Sequence, residues 1–504
     1  DLSAPAGVIP GAAVEIRHGR YDDVRFPMYT SKGTYRRMVE LLEKAGPLSI
    51  PARECHQWWL TAKVPDSAIP GLYTGTVTVQ AAGASPVRLP LVLRVLGFTL
   101  KRDPSRHGSV YYYDLFMRQK NTLAALDPAR TNDEGLAAIA LNEYRAMRDY
   151  GLDMAPTGYL SYDPQRNAFF YNGAESLELM RQAGLLESPS MFVVMGSAIA
   201  GLYKKYTSEW IPPHGLVKQV PPPAFFTEIT ELTRKLEVVR QEKNWPEFIY
   251  NPLDEVDAAA WEFGVKVHQA VKQAGVRVYT TKDPVSTDAP KYAGCIDIWC
   301  SQPFSLPYDK VVKDTRCRYW SYPNHISGEL KAREIMHQGG RMTYGFGFWR
   351  SGYEGLMPWH WRWDVGDPGD YLDDKYADTG NKLSREGEVI AAAYWSCFRE
   401  GYDDARYIYT LQQTIAEREA TTVPACRALV EEGKAFLQGL WDSIPVQDKY
   451  LASGFWPSED FQARRWQMAT RIEALRAYPG ATGIQAPSVL VGRTESLAAA
   501  EADR

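Results

Sequence analysis

This chain of 504 residues has few cysteines, no long apolar run and nearly balanced charges. It has six cysteines, no CxxC pair and no histidines at zinc-finger spacing, so we expect no structural metal ion and no cofactor. The formal net charge of −4 argues against nucleic acid as a partner, because nucleic-acid binders usually carry a basic stripe. No uninterrupted apolar run approaches the roughly 20 residues that cross a bilayer, so we expect no transmembrane segment.

Several catalytic signatures are also missing. The chain contains no HExxH, no GxGxxG or Walker pattern and no GxSxG elbow, which argues against a zinc protease, a nucleotide-binding loop and a serine hydrolase. We expect the cysteines to be buried free thiols. One disulfide within Cys295, Cys300 and Cys317 is an alternative, because these residues end neighbouring predicted strands.

Aromatic side chains, by contrast, are abundant: the chain has 30 Tyr, 17 Phe and 15 Trp. Such residues fill a thick core, and they also form flat platforms for the apolar faces of sugar rings. Their positions along the chain must decide between these two interpretations.

Residues 1–102 are predicted to form an antiparallel β-sandwich domain. The stretches 72–79 and 87–95 are rich in β-branched residues, alternate apolar with polar side chains and are bounded by Gly and Pro. Short strands at this spacing are typical of a sandwich. Residues 35–44 are expected to form one or two helical turns instead.

Residues 103–420 alternate strand-like apolar runs with amphipathic helical patterns, which predicts a (β/α)8 TIM-like barrel. A doubly wound open sheet shows the same alternation, but it usually has a Gly-rich phosphate turn after its first strand. Here the first strand leads into three tyrosines. A C-terminal helical extension is predicted over 421–504, and a helix over 385–398 follows the last strand. The predicted strands are 108–113, 152–157, 191–195, 247–251, 276–280, 296–300, 317–322 and 342–347.

Two adjacent carboxylates, Asp254 and Glu255, follow the fourth predicted strand. Active sites of such barrels lie at the carboxyl ends of the strands, so both acids are candidate catalytic residues. Adjacent residues of a regular strand point to opposite faces, and both can face one pocket only if Pro252 ends the strand geometry. The alternative is that Asp254 is the N-cap of the next helix, with Asp257 in the box position.

Other strand ends carry aromatic and polar side chains. Any single Trp fits core packing as well, but several on consecutive strand ends favour a surface that binds sugar rings. For Asp297 the alternative is an ion pair with a nearby Arg. The candidate substrate-binding residues are Tyr113, Asn251, Asp297, Trp299, Trp320, Tyr322, Tyr344, Trp349 and Trp361.

Over about residues 15–415 the order of motifs resembles glycoside hydrolase family 123. The motifs are Trp58-Trp59-Leu60-Thr61, the hairpin around Pro70-Gly71, the Asp-Glu pair at 254–255, Asp297-Ile298-Trp299, the 341–349 stretch and Arg399-Glu400-Gly401-Tyr402-Asp403-Asp404. Val256 stands where family members often have Pro. The 399–404 motif has an alternative reading as a buried ion network on the last barrel helix.

The resemblance implies a retaining, exo-acting β-N-acetylhexosaminidase, with N-acetylgalactosamine favoured, that uses substrate assistance. Asp254 would orient the 2-acetamido group and Glu255 would be the general acid/base. The partner would be a glycan or glycoconjugate. Because the chain begins at Asp1 without Met, we expect an upstream segment, and the substrate class favours a secreted or periplasmic location.

Two other functions remain open on the sequence. The first is a glycosidase for a sugar without the acetamido group, which would need a further carboxylate facing Glu255, such as Asp297 or Asp114. The second is a carbohydrate-binding barrel without catalytic activity.

Overall fold

The fold is described from a computed structural model that covers residues 1–5, 7–26, 34–112, 126–211, 213–285, 287, 289–301, 306–322, 336–362, 380–444 and 456–480. The α-helices of this part are α1 (Asp133–Asp149), α2 (Leu177–Ala183), α3 (Gly196–Thr207), α4 (Pro223–Glu242), α5 (Trp261–Lys272), α6 (Ala289–Tyr292), α7 (Leu306–Asp314), α8 (Met336–Arg341), α9 (Gly347–Arg350), α10 (Ala393–Ala416), α11 (Pro424–Ser443) and α12 (Ser458–Arg476). A π-helix, Met342–Phe346, joins α8 to α9.

Two antiparallel sheets form the N-terminal part, as the alternating pattern predicts. Its strands are β1 (Leu2–Ala4), β2 (Gly7–Ile9), β3 (Val14–Phe26), β4 (Thr34–Lys44), β5 (Trp58–Ala62), β6 (Gly71–Val79) and β7 (Val87–Val95). One sheet has the order β2-β1-β6-β7, and Pro90 fits there because β7 is an edge strand. Leu2, Ile9 and Tyr73 form the centre of a small core beside it.

The second N-terminal sheet takes strands from far along the chain. Its order is β17-β18-β4-β3-β5, where β17 is Lys382–Leu383 and β18 is Val389–Ala392. This sheet therefore includes residues beyond the predicted domain range of 1–102. Helix α10 begins directly after β18, so it starts next to this sheet.

The third and largest sheet has nine strands. Its strands are β8 (His107–Gly108), β9 (Gly158–Asp163), β10 (Ala168–Tyr171), β11 (Ser190–Val194), β12 (Glu247–Asn251), β13 (Arg277–Thr280), β14 (Ile298–Ser301), β15 (Arg318–Ser321) and β16 (Gly355–Leu356). The order is β10-β9-β11-β12-β13-β14-β15-β16-β8, and all neighbours are parallel except β10 and β9. Helices connect most of the successive parallel strands, which is the predicted β/α alternation.

The two ends of the parallel run are joined by single hydrogen bonds instead of a strand ladder. The Asp153 and Met154 amides donate to the Gly108 carbonyl at 3.1 Å, and the Thr157 amide donates to the Val110 carbonyl at 2.8 Å. Within the described ranges β8 and β9 are not paired as strands, so the sheet is not a closed barrel by this criterion.

Alternate residues of the parallel strands pack into two different apolar clusters. In β12, Ile249 belongs to a small cluster with Phe192 and Tyr279, whereas Phe248 and Tyr250 belong to the large core that includes the helices. The period of two residues per strand repeat explains this division. The small cluster therefore lies on the sheet face away from the helices, and the candidate site follows the carboxyl ends of the same strands.

Four predicted elements differ from the structure. The 342–347 stretch is a π-helix continuing into α9, and the eighth parallel strand is Gly355–Leu356. The second strand lies at Gly158–Asp163 rather than 152–157. Residues 389–392 of the predicted helix 385–398 are a strand, and 35–44 lie in β4.

The C-terminal region contains helices α11 and α12, as predicted. No helix in the described ranges is long and apolar enough to span a membrane. Helix α12 is joined to α8 and α10 by an ion network centred on Asp404, which accepts two hydrogen bonds from Arg341 at 2.7 Å and one from Arg465 at 2.8 Å. Arg465 also pairs with Glu400 at 2.6 Å, so the 399–404 motif does form a buried ion network.

This network predicts that the neighbouring acids Asp404 and Asp403 contribute very differently to the free energy of unfolding. Both Asp404 and Arg341 have fully buried side chains. Asp404→Asn leaves buried guanidinium charge without its counter-charge, so unfolding should need about 3–5 kcal/mol less free energy in urea titrations. The control is Asp403→Asn, whose partner Arg406 is 42% exposed, and we expect a change below about 1 kcal/mol. Equal losses for the two variants would contradict the role of the network.

Candidate active site

The chain leaves strand geometry directly after β12. Asn251 ends the strand, and Pro252 and Leu253 are buried before the chain reaches Asp254 and Glu255. Glu255 has a φ of +39°, which L-residues adopt at a cost of about 1–3 kcal/mol. This left-handed turn removes the alternation that would send adjacent side chains to opposite faces.

Thr281, the residue after β13, holds both acidic residues. Its hydroxyl donates to Asp254 Oδ1 at 2.8 Å and accepts the Glu255 backbone N–H at 2.8 Å. A hydroxyl can do both because it has one proton and two lone pairs. One buried side chain on the neighbouring strand therefore sets the positions of two consecutive carboxylate residues.

Tyr322 fixes the carboxylate of Glu255. Its hydroxyl donates to Glu255 Oε1 at 2.5 Å and lies 3.2 Å from the Thr281 carbonyl oxygen. Tyr322 follows β15, so three parallel strands contribute to this cluster through their carboxyl ends. The predicted place of Tyr322 at the site is consistent with this contact.

The helix-cap alternative applies to a different residue. The Asp257 carboxylate accepts the Ala259 N–H at 2.7 Å and caps the 3-10 turn Ala258–Ala260 that leads into α5. Within the described ranges, the Asp254 carboxylate accepts no backbone N–H of the helix that follows, and it accepts a hydrogen bond from the Thr281 hydroxyl instead. The acid pair is therefore separate from the helix cap.

The surroundings of Asp254 favour its neutral form. Protein atoms around the carboxyl desolvate it, and the adjacent Glu255 charge acts in the same direction, so the pKa of Asp254 is raised from its ordinary value. The Thr281 hydrogen bond and the nearby His214 oppose this rise in part. Because the residue is also exposed to solvent, the desolvation is partial.

Polar atoms without good partners lie beneath the acid pair. Tyr111, Tyr279 and Asn251 are almost completely buried, and burial raises the pKa of both tyrosines, which therefore stay neutral. Among the described residues, their hydroxyl oxygens and Asn251 Oδ1 have no partner at good hydrogen-bond geometry. Asn251 Nδ2 reaches Thr281 Oγ1 at 3.5 Å. The three side chains lie close enough to shift the pKa values of the two tyrosines, so they form one buried polar cluster next to Asp254.

Aromatic rings extend this surface. The Tyr111 ring lies 5.3 Å from that of Trp359 and 6.3 Å from that of Tyr322, measured between centroids. Trp320 belongs to the same small apolar cluster but packs deeper, with its ring stacked on His107 and close to Phe192. Trp320 therefore packs mainly beneath the residues that line the site.

Asp297 does not lie at the site. It precedes β14, at the amino end of the strand, and both of its oxygens accept from Lys272 Nζ, at 2.7 and 2.8 Å. The Val278 amide also donates to it. The prediction of a substrate-binding Asp297 is wrong because the acid pair follows the opposite ends of the strands.

Four predicted aromatic residues are likewise core residues. Trp299 points to the helix side of β14 and donates to Thr315 Oγ1. Tyr344 lies in the π-helix with its ring 3.9 Å from that of Phe398. The remaining two, Trp349 and Trp361, contact Trp441 and Trp395, respectively.

Some of the predicted residues are not placed. Tyr113 and Asp114 lie outside the described residues.

All six cysteines are free, so the alternative of a bridge within Cys295, Cys300 and Cys317 is wrong. In the described part of the chain, no group of three or more His, Cys, Asp or Glu side chains is arranged to hold a metal ion.

Thr281, Tyr111, Tyr279 and Trp359 are not among the site residues predicted from the sequence. Thr281 is the first residue after the predicted strand 276–280, so the rule of strand ends could have found it. A threonine is neither a carboxylate nor an aromatic residue, and these are the main classes that the pattern of a sugar site selects.

The raised pKa of Asp254 predicts a gain in stability when its charge is removed. A carboxyl with a raised pKa in the fold destabilises the folded state above that pKa, and the penalty disappears below the unfolded value of about 3.9. Asp254→Asn should therefore melt at a higher temperature than the wild type at pH 7, and the difference should shrink towards pH 4. Asp257→Asn keeps a side-chain oxygen for its cap, so its melting temperature should stay close to that of the wild type. A lower melting temperature for Asp254→Asn at pH 7 would contradict the electrostatic account.

No protein-family model and no curated protein matches the chain. Among solved structures, it is similar to a family 123 glycoside hydrolase from Clostridium perfringens, with a TM-score of 0.62 and 12% identity over 93% of this chain and 86% of that one. An endo-β1,6-glucanase (TM-score 0.39, 11% identity, 60% of this chain and 77% of that one) and GH5_18 from Bifidobacterium longum subsp. longum (0.39, 12%, 60% and 80%) are more distant. The resemblance to glycoside hydrolase family 123 is therefore confirmed at the level of the fold.

Proposed function

We propose that this chain is a glycoside hydrolase of the family 123 type that removes terminal β-linked N-acetylhexosamine, with N-acetylgalactosamine favoured. The observation that carries the proposal is the attachment of two consecutive carboxylate residues, Asp254 and Glu255, to one hydroxyl at the carboxyl edge of a parallel sheet. The order of the eight parallel strands supports a (β/α)8 barrel as the frame of this site.

The adjacency of the acids favours substrate assistance. In the usual retaining arrangement, two carboxyl groups flank the scissile bond about 5–5.5 Å apart, one as nucleophile and one as acid. Neighbours that share Thr281 are poorly placed to reach opposite sides of a sugar ring. If the 2-acetamido oxygen of the substrate is the nucleophile, both acids can act from the same side.

The proposed reaction has two steps. The acetamido oxygen forms a bond to the anomeric carbon while the glycosidic bond breaks, and Glu255 gives its proton to the leaving oxygen. Asp254 accepts the acetamido N–H and stabilises the positive charge of the bicyclic intermediate. Water then attacks the anomeric carbon, gives its proton to Glu255 and restores the acetamido group. The anomeric configuration is retained.

The non-acetamido alternative has less support. It needs a second carboxylate facing Glu255. Of its two candidates, Asp297 is paired with Lys272 at the other edge of the sheet, and Asp114 lies outside the described residues. A terminal glycan substrate also supports a secreted or periplasmic location, which we propose on that ground alone.

The acid pair predicts a specific pattern of lost activity. With a methyl 2-acetamido-2-deoxy-β-galactoside, whose alcohol is a poor leaving group, Glu255→Gln should lower kcat by about 10²–10⁴-fold, because proton donation is lost. Asp254→Asn should lower it by about 10²–10³-fold, because charge stabilisation is lost. Asp257→Asn is the matched control and should retain activity. The corresponding β-galactoside, which lacks the acetamido group, should not be turned over.

Two results would reject this function. Equal turnover of the two substrates would exclude substrate assistance, and binding without hydrolysis of any aryl glycoside would favour a non-catalytic barrel. A thiazoline mimic of the bicyclic intermediate should inhibit the wild type competitively.

Thr281 predicts a second, smaller effect on the same reaction. Thr281→Val keeps the shape of the side chain but removes the hydroxyl that positions both acids. We expect kcat to fall by about 10–100-fold with little change in KM, as is typical when a supporting hydrogen bond is lost. Thr281→Ser should restore most of kcat. If valine and serine behave alike, the hydroxyl does not position the acids.

A further inference from the structure

A cleft of about 400 Å³ lies where the second N-terminal sheet meets helices α1 and α10. Trp59 and Thr61 of β5 line one side, and Tyr150 and Arg399 line the other. Its volume is within the usual range for small-molecule sites, about 300–1,000 Å³. Neither acid of the candidate active site lines it.

The cleft and the acid pair lie towards opposite ends of the parallel strands. Asp149 and Tyr150 stand at the end of α1, a helix that leads back to the amino ends of the strands. Asp254 and Glu255 follow the carboxyl end of β12. A ligand in the cleft would therefore be bound independently of the reaction centre.

Most charges around the cleft are already neutralised by ion pairs. These pairs are Arg17–Glu15 at 2.7 Å, Lys63–Asp149 at 2.7 Å, Arg465–Glu400 at 2.6 Å and Arg406–Asp403 at 3.1 Å. The Lys63–Asp149 pair also ties the N-terminal part to the end of α1. The cleft therefore has a polar lining in which most charges are paired.

Arg399 is the exception among these charges. Within the described residues its guanidinium has no hydrogen-bond or ion-pair partner, although it lies close enough to Tyr150 and Asp403 to lower the pKa of each in part. Asp403 is bound to Arg406 instead. A free guanidinium fork in a polar cleft matches a planar carboxylate or a sulfate oxyanion.

Aromatic side chains add an apolar surface to the cleft. Trp59 is half-buried and, within the described residues, stacks on no other ring. Tyr150 also lines the cleft, and its ring packs against those of Trp361 and Trp395. Aromatic faces beside polar groups suit the C–H face and hydroxyl edge of a sugar ring.

We propose that this cleft is a second glycan-binding site, which takes a saccharide unit bearing a carboxylate or sulfate group. Arg399 binds the anion and Trp59 contacts the sugar ring. The site is distinct from the proposed hydrolytic centre, and its occupation does not require the Asp254–Glu255 chemistry.

The test is saturation-transfer NMR with the full chain and three probes at about 10 mM, a concentration that reveals dissociation constants in the millimolar range. The probes are methyl β-glucuronide, galactose 6-sulfate and methyl β-glucoside. We expect saturation of one or both anionic sugars and a much weaker signal from the glucoside. The two anionic probes distinguish a carboxylate from a sulfate ligand.

Variants assign the signal to the cleft. Arg399→Met should weaken binding of the anionic sugar by about tenfold, Arg399→Lys should keep part of it, and Trp59→Ala should weaken it without removing the preference for charge. Trp58→Ala is the matched control, because Trp58 is the neighbouring exposed Trp and does not line the cleft. Unchanged melting temperatures show that the variants are folded.

Several outcomes would overturn the proposal. They are the absence of binding of both anionic sugars, the same affinity in Arg399→Met as in the wild type, and binding of inorganic sulfate as strong as that of the sulfated sugar. Repeating the titration with Glu255→Gln separates the two proposals, since cleft binding should persist there whether or not the chain hydrolyses glycosides.

Discussion

The hydroxyl of Thr281 is the constraint on which the arrangement of the candidate active site depends. It joins the end of β13 to the turn that follows β12, and it uses its proton for one acid and a lone pair for the backbone of the next. The left-handed conformation of Glu255 is unfavourable in isolation, and it persists because this contact and the Tyr322 hydroxyl hold it in place. Parallel pairing of β12 with β13 keeps the two sides of the contact together.

Stability and reactivity are placed in different parts of the molecule. Around Asp254 the fold tolerates a desolvated carboxyl beside a second acid, a combination that raises its pKa. At the other extreme, Asp404 is completely buried but accepts hydrogen bonds from two guanidinium groups, and it joins helices α8, α10 and α12. The strain at the site can thus be supported by a scaffold whose own charges are satisfied.

Local patterns predicted the central strands well, because β11 to β15 are short apolar runs bounded by turns and helices. They also predicted that the acids face one site if the chain leaves strand geometry after Pro252. The rule of strand ends misplaced Asp297 because it precedes its strand, so it lies at the amino edge. Trp299 was misplaced because strand alternation points it to the helices, whereas Cys300 points to the opposite face.

The 342–347 stretch could not be predicted from local sequence, since its alternation of Gly with aromatic residues is typical of a strand. Its glycines instead permit close helix packing: a Cβ on Gly345 would lie 2.6 Å from the Gly401 carbonyl oxygen of α10. Tertiary contact decides the conformation there, as it does for residues 35–44 in β4.

The anomeric configuration of the first product tests the account most directly. Rapid proton NMR of a β-linked N-acetylgalactosaminide reaction should show the β-anomer before mutarotation, and an initial α-anomer would contradict catalysis by the acetamido group and the Asp254–Glu255 pair.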